Sequence, residues 1–189
     1  MTERQDPQEY EIPKIVLAWR WISQRSWDVV ILRIYDQIMR LITGAPLPQY
    51  SEITPVLHVG GQQYEKGLEA MKERGITAIV NMRRSDDRRI KADLPAYLHL
   101  STPDNGPPRV EDLQRGVEFM QQEIDKGGAV YVHCGVGVGR APTMAAAYLV
   151  STGMTPDEAW KTLREKRPFI FPNGRQKASL QQFADSLKK

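Results

Sequence analysis

The stretch AVYVHCGVGVGRAPTMAAAYLVSTG, residues 129–153, constrains the fold more than any other part of the chain. Ala129 to His133 is apolar and rich in β-branched residues, which predicts a buried strand. Gly135, Gly137 and Gly139 then interrupt any regular element. The run PTMAAAYLVSTG predicts a helix that Gly153 ends. A strand that passes through a tight glycine loop straight into a helix belongs to a layered α/β architecture. It places the loop at the carboxyl end of a strand and the amino end of a helix, where open α/β sheets bind ligands.

The rest of the chain from about residue 52 onward alternates in the same way. ITPVLHVGG (53–61) reads as one short strand and Gln63 to Arg74 as a helix closed by Gly75. ITAIVNM (76–82) and AYLHL (96–100) read as strands. STPDNGPPR has the Pro, Gly, Asn and Asp content of a surface loop. Val110, Leu113, Val117, Met120 and Ile124 carry helical spacing up to Gly127 and Gly128. TPDE (155–158) matches a capping box with Thr155 as N-cap, and a last helix is expected from about Gln176 to Leu187. Ahead of this region, Pro13 opens a helical stretch in which Trp27, Val30, Ile31, Ile34, Ile38 and Leu41 recur at helical spacing, with Ser26 placed to cap its second half.

Bulk properties narrow the class. The 189 residues suit one domain with a real core plus a short appendage, at 41% hydrophobic and 26% charged. A net charge of +3 is too mild to indicate nucleic acid but suits an anionic substrate. Cys134 is the single cysteine, so no internal disulfide and no multi-cysteine zinc site is expected, and a cytoplasmic or otherwise reducing compartment fits. His58, His99 and His133 are scattered and give a metal site little support. The N-terminus has no apolar signal core, and Ile15 to Ile42 carries too many charges for a membrane span.

The glycine loop has a chemistry of its own. Backbone N–H groups that face one small space at a helix N-terminus bind an oxyanion, and the same field stabilises a thiolate on Cys134. The guanidinium of Arg140 can return to grip two oxygens of a phosphate. Gly135, Val136, Gly137, Val138 and Gly139 supply the cradle. A nucleophile, an amide cradle and a guanidinium fork then converge on one tetrahedral anion.

His133, Cys134, Gly137 and Arg140 form the pattern His-Cys-x-x-Gly-x-x-Arg, which resembles the signature of the cysteine-dependent protein tyrosine phosphatase superfamily. The compact size is similar to its dual-specificity branch. The resemblance implies an α/β fold with a central, mostly parallel sheet flanked by helices and an N-terminal helical extension, divided as 1–50 and 51–189. It implies a metal-independent phosphomonoester hydrolase, without cofactor, that works through a phosphocysteine intermediate. The family also needs an acid on a loop ahead of the cysteine, and Asp104 in STPDNGPP stands in that place. By the same resemblance His133 supports the loop, and Gln176 matches a glutamine of some lipid-directed relatives. One position departs from the family: Ala141 stands where most relatives carry Ser or Thr to stabilise the departing thiolate.

The substrate stays open among a phospholipid, a phosphoprotein and a phosphoglucan. LSTPDNGPPRVEDLQRGVEF and YDQIMRLITGAPLP resemble mitochondrial-type phosphatases acting on phosphatidylglycerophosphate, whereas Gly-Arg-Ala-Pro resembles glucan phosphatases. Arg83, Arg84, Arg88, Arg89 and Lys91 are a solvated charge run or the border of the site. The N-terminal segment, with Trp19, Trp21 and Trp27 beside arginines, either lies on an anionic membrane surface or packs its apolar face onto the domain. A catalytically silent phosphate-binding module and a rhodanese-type sulfur carrier are the readings from other classes.

Overall fold

Every residue of Ala129–His133 is buried, as an interior strand with two covered faces requires. The computed structural model describes residues 26–86 and 96–188, together with 16, 19, 22 and 23. Its strands are β1 (Glu52–Thr54), β2 (Leu57–Gly60), β3 (Ile76–Asn81), β4 (Ala96–His99) and β5 (Ala129–His133). They form one sheet in the order β1-β2-β5-β3-β4, so β5 lies at its centre. β2, β3 and β4 join it through parallel pairings, and β1 pairs with β2 antiparallel. The mostly parallel sheet expected from the alternation of elements is therefore present.

Seven α-helices have both ends within the described residues: α1 (Trp27–Thr43), α2 (Pro48–Ser51), α3 (Leu68–Lys72), α4 (Val110–Asp125), α5 (Arg140–Ser151), α6 (Pro156–Lys166) and α7 (Gly174–Ser186). The strands divide their side chains by alternation. Val130 and Val132 of β5 enter the large core under α4–α7, while Ala129 and Tyr131 face a smaller core with Leu68 and Met71 of α3. α5 is buried from Arg140 to Val150, and its small residues Ala141, Ala145, Ala146 and Ala147 let it lie deep in the main core. Its position fixes where the glycine loop ends.

Three local expectations change. The run 53–61 is two strands rather than one, because the chain turns at Pro55–Val56 and Thr54 Oγ1 accepts from the Leu57 amide at 3.1 Å. The helix expected over 63–74 is a 3-10 turn, Glu65–Gly67, followed by only α3. Gly67 lies against Gly44, where a Cβ would come 2.2 Å from the Gly44 carbonyl carbon. This close crossing shapes the segment more than its helical periodicity does. Ser26 occupies the N-cap position of α1 without a side-chain capping bond. The Thr155–Glu158 capping box is present as read, and Asn173 with Gln176 forms a second one at α7.

α1 packs against the domain in an inverted sense. Its inward face carries Asp36 and Arg40, both buried, while Trp27, Ile31, Ile34, Tyr35, Ile38, Leu41 and Ile42 are exposed. Of its apolar residues only Val30 is fully buried, beside Phe169. The expectation that the apolar face packs onto the domain holds only for the edge Val29, Val30 and Leu32, which lies in a small cluster with Phe169, Tyr50 and Val138. Hydrogen bonds at Asp36, Gln37 and Arg40 tie the polar face to Arg167, Val136 O and Gln62 O. No helix among the described residues is long and apolar enough to cross a membrane. Trp21, Arg88, Arg89 and Lys91 lie outside the described residues.

Candidate active site

β5 ends at His133, and residues 135–139 bend tightly before α5 begins at Arg140. Cys134 is buried at the base of this loop, and the Gly137 amide points at its sulfur with N···Sγ 3.3 Å. Gly137 has φ +69°, and a Cβ there would come 2.4 Å from the Gly60 carbonyl carbon, so both the turn and the space demand glycine.

The loop carbonyls explain why its amides can face inward. Gly135 O accepts from the Gln62 amide at 3.1 Å, and Val138 O accepts from the Phe171 amide. Gly137 O accepts from Arg167 Nε at 2.8 Å and Val136 O from Gln37 Nε2 at 3.4 Å, the longest of the set. Gly139 O accepts from the Thr143 amide and hydroxyl. Each carbonyl from 135 to 139 is drawn to a donor outside the loop. Because N–H and C=O of one peptide plane point in opposite directions, the adjoining amides turn inward, as the Gly137 amide does toward Cys134 Sγ.

Arg140 is mostly buried. Its Nη1 donates to Thr102 O at 2.9 Å and its Nη2 to Asp104 Oδ1 at 2.7 Å. The loop that carries Asp104 is thus brought to the glycine loop by the guanidinium, and Asp104 keeps most of its side chain exposed. α7 holds the same loop from the other side. Asn173 Nδ2 donates to Asn105 O at 2.7 Å, Gln176 Nε2 to Gly106 O at 3.1 Å, and Ser179 Oγ to Pro108 O.

His133 is stacked on Tyr131, and burial pushes its imidazole down to about 3, so it is neutral at ordinary pH. Its Nδ1 lies 3.4 Å from Cys134 O. Burial also pushes the Tyr131 hydroxyl up, which keeps it protonated as the donor to Gly61 O.

A sequence model described as the dual specificity phosphatase catalytic domain matches residues 57–186. The chain belongs to the dual specificity phosphatases. Dual specificity protein phosphatase 2 of Mus musculus is 31% identical over 142 residues, which cover 74% of this chain and 41% of that protein. The chain therefore spans about two fifths of the length of that curated relative. A crystal structure of PTPMT1 is similar with a TM-score of 0.68 at 26% identity, covering 74% of this chain and 96% of that one. A second structure, PTPMT1 in complex with PI(5)P, has a TM-score of 0.65 at 24% identity over 74% of this chain and 97% of that one, a likeness of fold.

Within this dual specificity phosphatase domain, Arg140 links the loop 135–139, where its Nη2 lies 3.6 Å from a Cβ built on Gly135, to Asp104, and Cys134 lies under the Gly137 amide. Gln176 is buried and bonded at both ends of its amide: its Oε1 accepts from the Asn173 amide, its Nε2 donates to Gly106 O, and it packs against Gly139. It braces two loops rather than presenting a free amide to a ligand. The Val138 side chain packs beside Val30 and Phe169, so only its backbone belongs to the cradle, whereas Val136 is exposed at the rim. Arg83 and Arg84 use their backbone carbonyls to accept from His99 Nε2 and Ser101 Oγ, which ties them to the end of β4. Sequence reasoning passed over Asp36, Gln37, Gln62, Arg167, Asn173 and Ser179. Of these, only the Asn173–Gln176 spacing carried a readable signal, that of a capping box.

Proposed function

We propose that this chain hydrolyses phosphomonoesters through a phosphocysteine intermediate, with a phospholipid as substrate. One observation carries the mechanism: the Gly137 amide points at Cys134 Sγ, and Arg140, whose Nη2 lies 3.6 Å from where a Cβ on Gly135 would stand, holds Asp104. In the first step Cys134 Sγ forms a bond to phosphorus as the bond to the leaving oxygen breaks. That oxygen keeps the bonding electron pair and takes a proton from Asp104. In the second step water attacks phosphorus and gives its proton to Asp104, and the P–S bond breaks to return the thiolate and release inorganic phosphate. Arg140 and the loop amides stabilise the equatorial oxygens throughout. A working thiolate needs a reducing compartment, which is the localisation this reading carries.

Two features favour a phospholipid. PTPMT1, whose fold this chain resembles, has been seen in complex with PI(5)P. The outward stripe Trp27, Ile31, Ile34, Ile38 and Leu41 of α1 belongs to the helix that touches the loop at Val136 through Gln37. That apolar surface suits peripheral contact with a lipid bilayer beside the site. The test is phosphate release from phosphatidylglycerophosphate, phosphoinositides, phosphotyrosine peptides and phosphoglucan, with Cys134→Ser as control. Fastest release from a lipid that vanishes in Cys134→Ser supports the proposal. Fastest release from a peptide or glucan overturns the substrate class, and turnover that persists in the variant overturns the mechanism.

A further inference from the structure

Asp36 of α1 and Arg167, just after α6, are 131 positions apart in sequence and are both 0% exposed. Arg167 Nη2 lies 3.3 Å from Asp36 Oδ2, its Nη1 donates to Tyr50 O at 2.8 Å, and its Nε donates to Gly137 O at 2.8 Å. The guanidinium lies over the Phe169 ring, 4.4 Å from its centroid. One planar fork thus joins the N-terminal helix, the α2 segment and the tightest residue of the glycine loop. The Gly137 it holds is the residue whose amide points at Cys134 Sγ.

A buried ion pair is a weak source of net stability. Apolar side chains of similar volume are often as good or better, whereas removal of one partner is costly. What a guanidinium supplies that apolar groups cannot is direction: rigid N–H vectors fixed at known angles. Gly137 O is drawn toward Arg167, and rotation of that carbonyl would turn the adjoining loop peptides away from the anion. Burial pushes Arg167 down from its ordinary value while Asp36, Tyr131 and Cys134 push it back up. Among the described residues, Asp36 is the carboxylate bonded to it.

We propose that Asp36 and Arg167 are positioning residues of the phosphate loop, and that α1 is a working part of the site rather than an appendage to it. Asp36 fixes Arg167, Arg167 fixes the Gly137 carbonyl, and Gln37 of the same helix holds the preceding carbonyl at Val136. The inverted packing of α1 follows from this task, because its polar face has to reach the loop. The proposal rests on the loop being an oxyanion site, but it does not depend on which phosphomonoester is the substrate.

The test uses the full chain with orthovanadate as phosphate mimic and a phenyl phosphate ester as substrate. It reads vanadate affinity, kcat, KM and the midpoint of thermal unfolding. Arg167→Met is expected to lower both the midpoint and kcat. The double variant Asp36→Leu/Arg167→Met removes the pair together and is expected to recover most of the midpoint. Its kcat and vanadate affinity are expected to stay about 10- to 100-fold down, because Gly137 O has lost its donor. Asp36→Asn, close to the native shape, is expected to fold and to lose vanadate affinity about ten-fold, the same misplacement on a smaller scale. A double variant that recovers activity along with stability overturns the proposal, as does an Asp36→Asn protein with unchanged vanadate affinity. Failure of the unaltered protein to bind vanadate would instead overturn the reading of the loop as a phosphate site.

Discussion

Arg140 Nη2 and Asp104 Oδ1 are 2.7 Å apart, so the guanidinium that would grip the phosphate holds the carboxylate proposed as the acid. The pair is lopsided: the arginine is mostly buried and the carboxylate is largely in solvent. An arriving phosphate presents a better-matched bidentate partner for the same fork. On the proposed mechanism Asp104 would then be released beside the anion, with its loop still fastened to α7 through Asn105 and Gly106.

Asp104→Asn should therefore lower kcat by roughly 10²- to 10⁴-fold for alkyl phosphates, whose leaving oxygen needs a proton. The loss should be far smaller for nitrophenyl phosphate, whose leaving group departs unprotonated. Steady-state kinetics on both substrates check this, and equal losses on the two would remove Asp104 from the acid role.

Ala141 is fully buried in the main core, and the nearby Thr143 hydroxyl is bound to Gly139 O at 2.9 Å. Ala141→Ser should place a hydroxyl where the departing thiolate can use it and speed breakdown of the phosphocysteine. The expected sign is a smaller pre-steady-state burst, with a stability cost of about 1–3 kcal/mol if the hydroxyl lacks a partner in the resting protein. An unchanged rate of breakdown in single-turnover measurements would show that Ala141 does not limit that step.

Gly137 and Gly75 share a positive φ, +69° and +74°, but differ in surroundings. A Cβ at Gly75 meets nothing within 4 Å, whereas one at Gly137 would strike Gly60 and Arg167. Gly75→Ala should cost about 1–2 kcal/mol, the ordinary price of a left-handed alanine. Gly137→Ala should cost more and also abolish vanadate binding. Denaturant unfolding of both variants makes the comparison.

His133 has its folded-state value pushed down to about 3, from an ordinary value of 6.5, by burial. Between those limits the unfolded chain binds the proton and the folded chain does not, so stability is full above about pH 6.5 and falls as pH drops toward 3. At pH 5 the loss from this residue should be about 2 kcal/mol. His133→Asn should lose correspondingly less stability than the native protein between pH 7 and pH 5. Denaturant unfolding at the two pH values would show it, and parallel losses would assign the pH dependence elsewhere.

The parts of this protein that were legible in its sequence depend on neighbours along the chain. Val130 and Val132 alternate with Tyr131 as a buried strand must, the three glycines admit a tight loop, and Thr155 with Glu158 closes a capping box within one helical turn. Cys134, Arg140 and the loop between them share one short segment, and the spacing of Asp104 ahead of them follows a family pattern. The length of α3 was not legible in the same way, because Gly67 answers to Gly44 across the fold.

By itself, the sequence determined most of the order of elements and the candidate residues of the glycine loop, since strand alternation, helix periodicity and loop chemistry are local properties. Only the tertiary structure decided what holds the glycine loop open. Its carbonyls are drawn outward by Gln62, Gln37, Arg167 and Phe171, donors from segments remote in sequence. It also decided the sense in which α1 packs. Periodicity shows that a helix has an apolar and a polar face, but not which one turns inward. Here the polar face does, because Asp36 meets the buried charge of Arg167, and a charge out of water needs its partner.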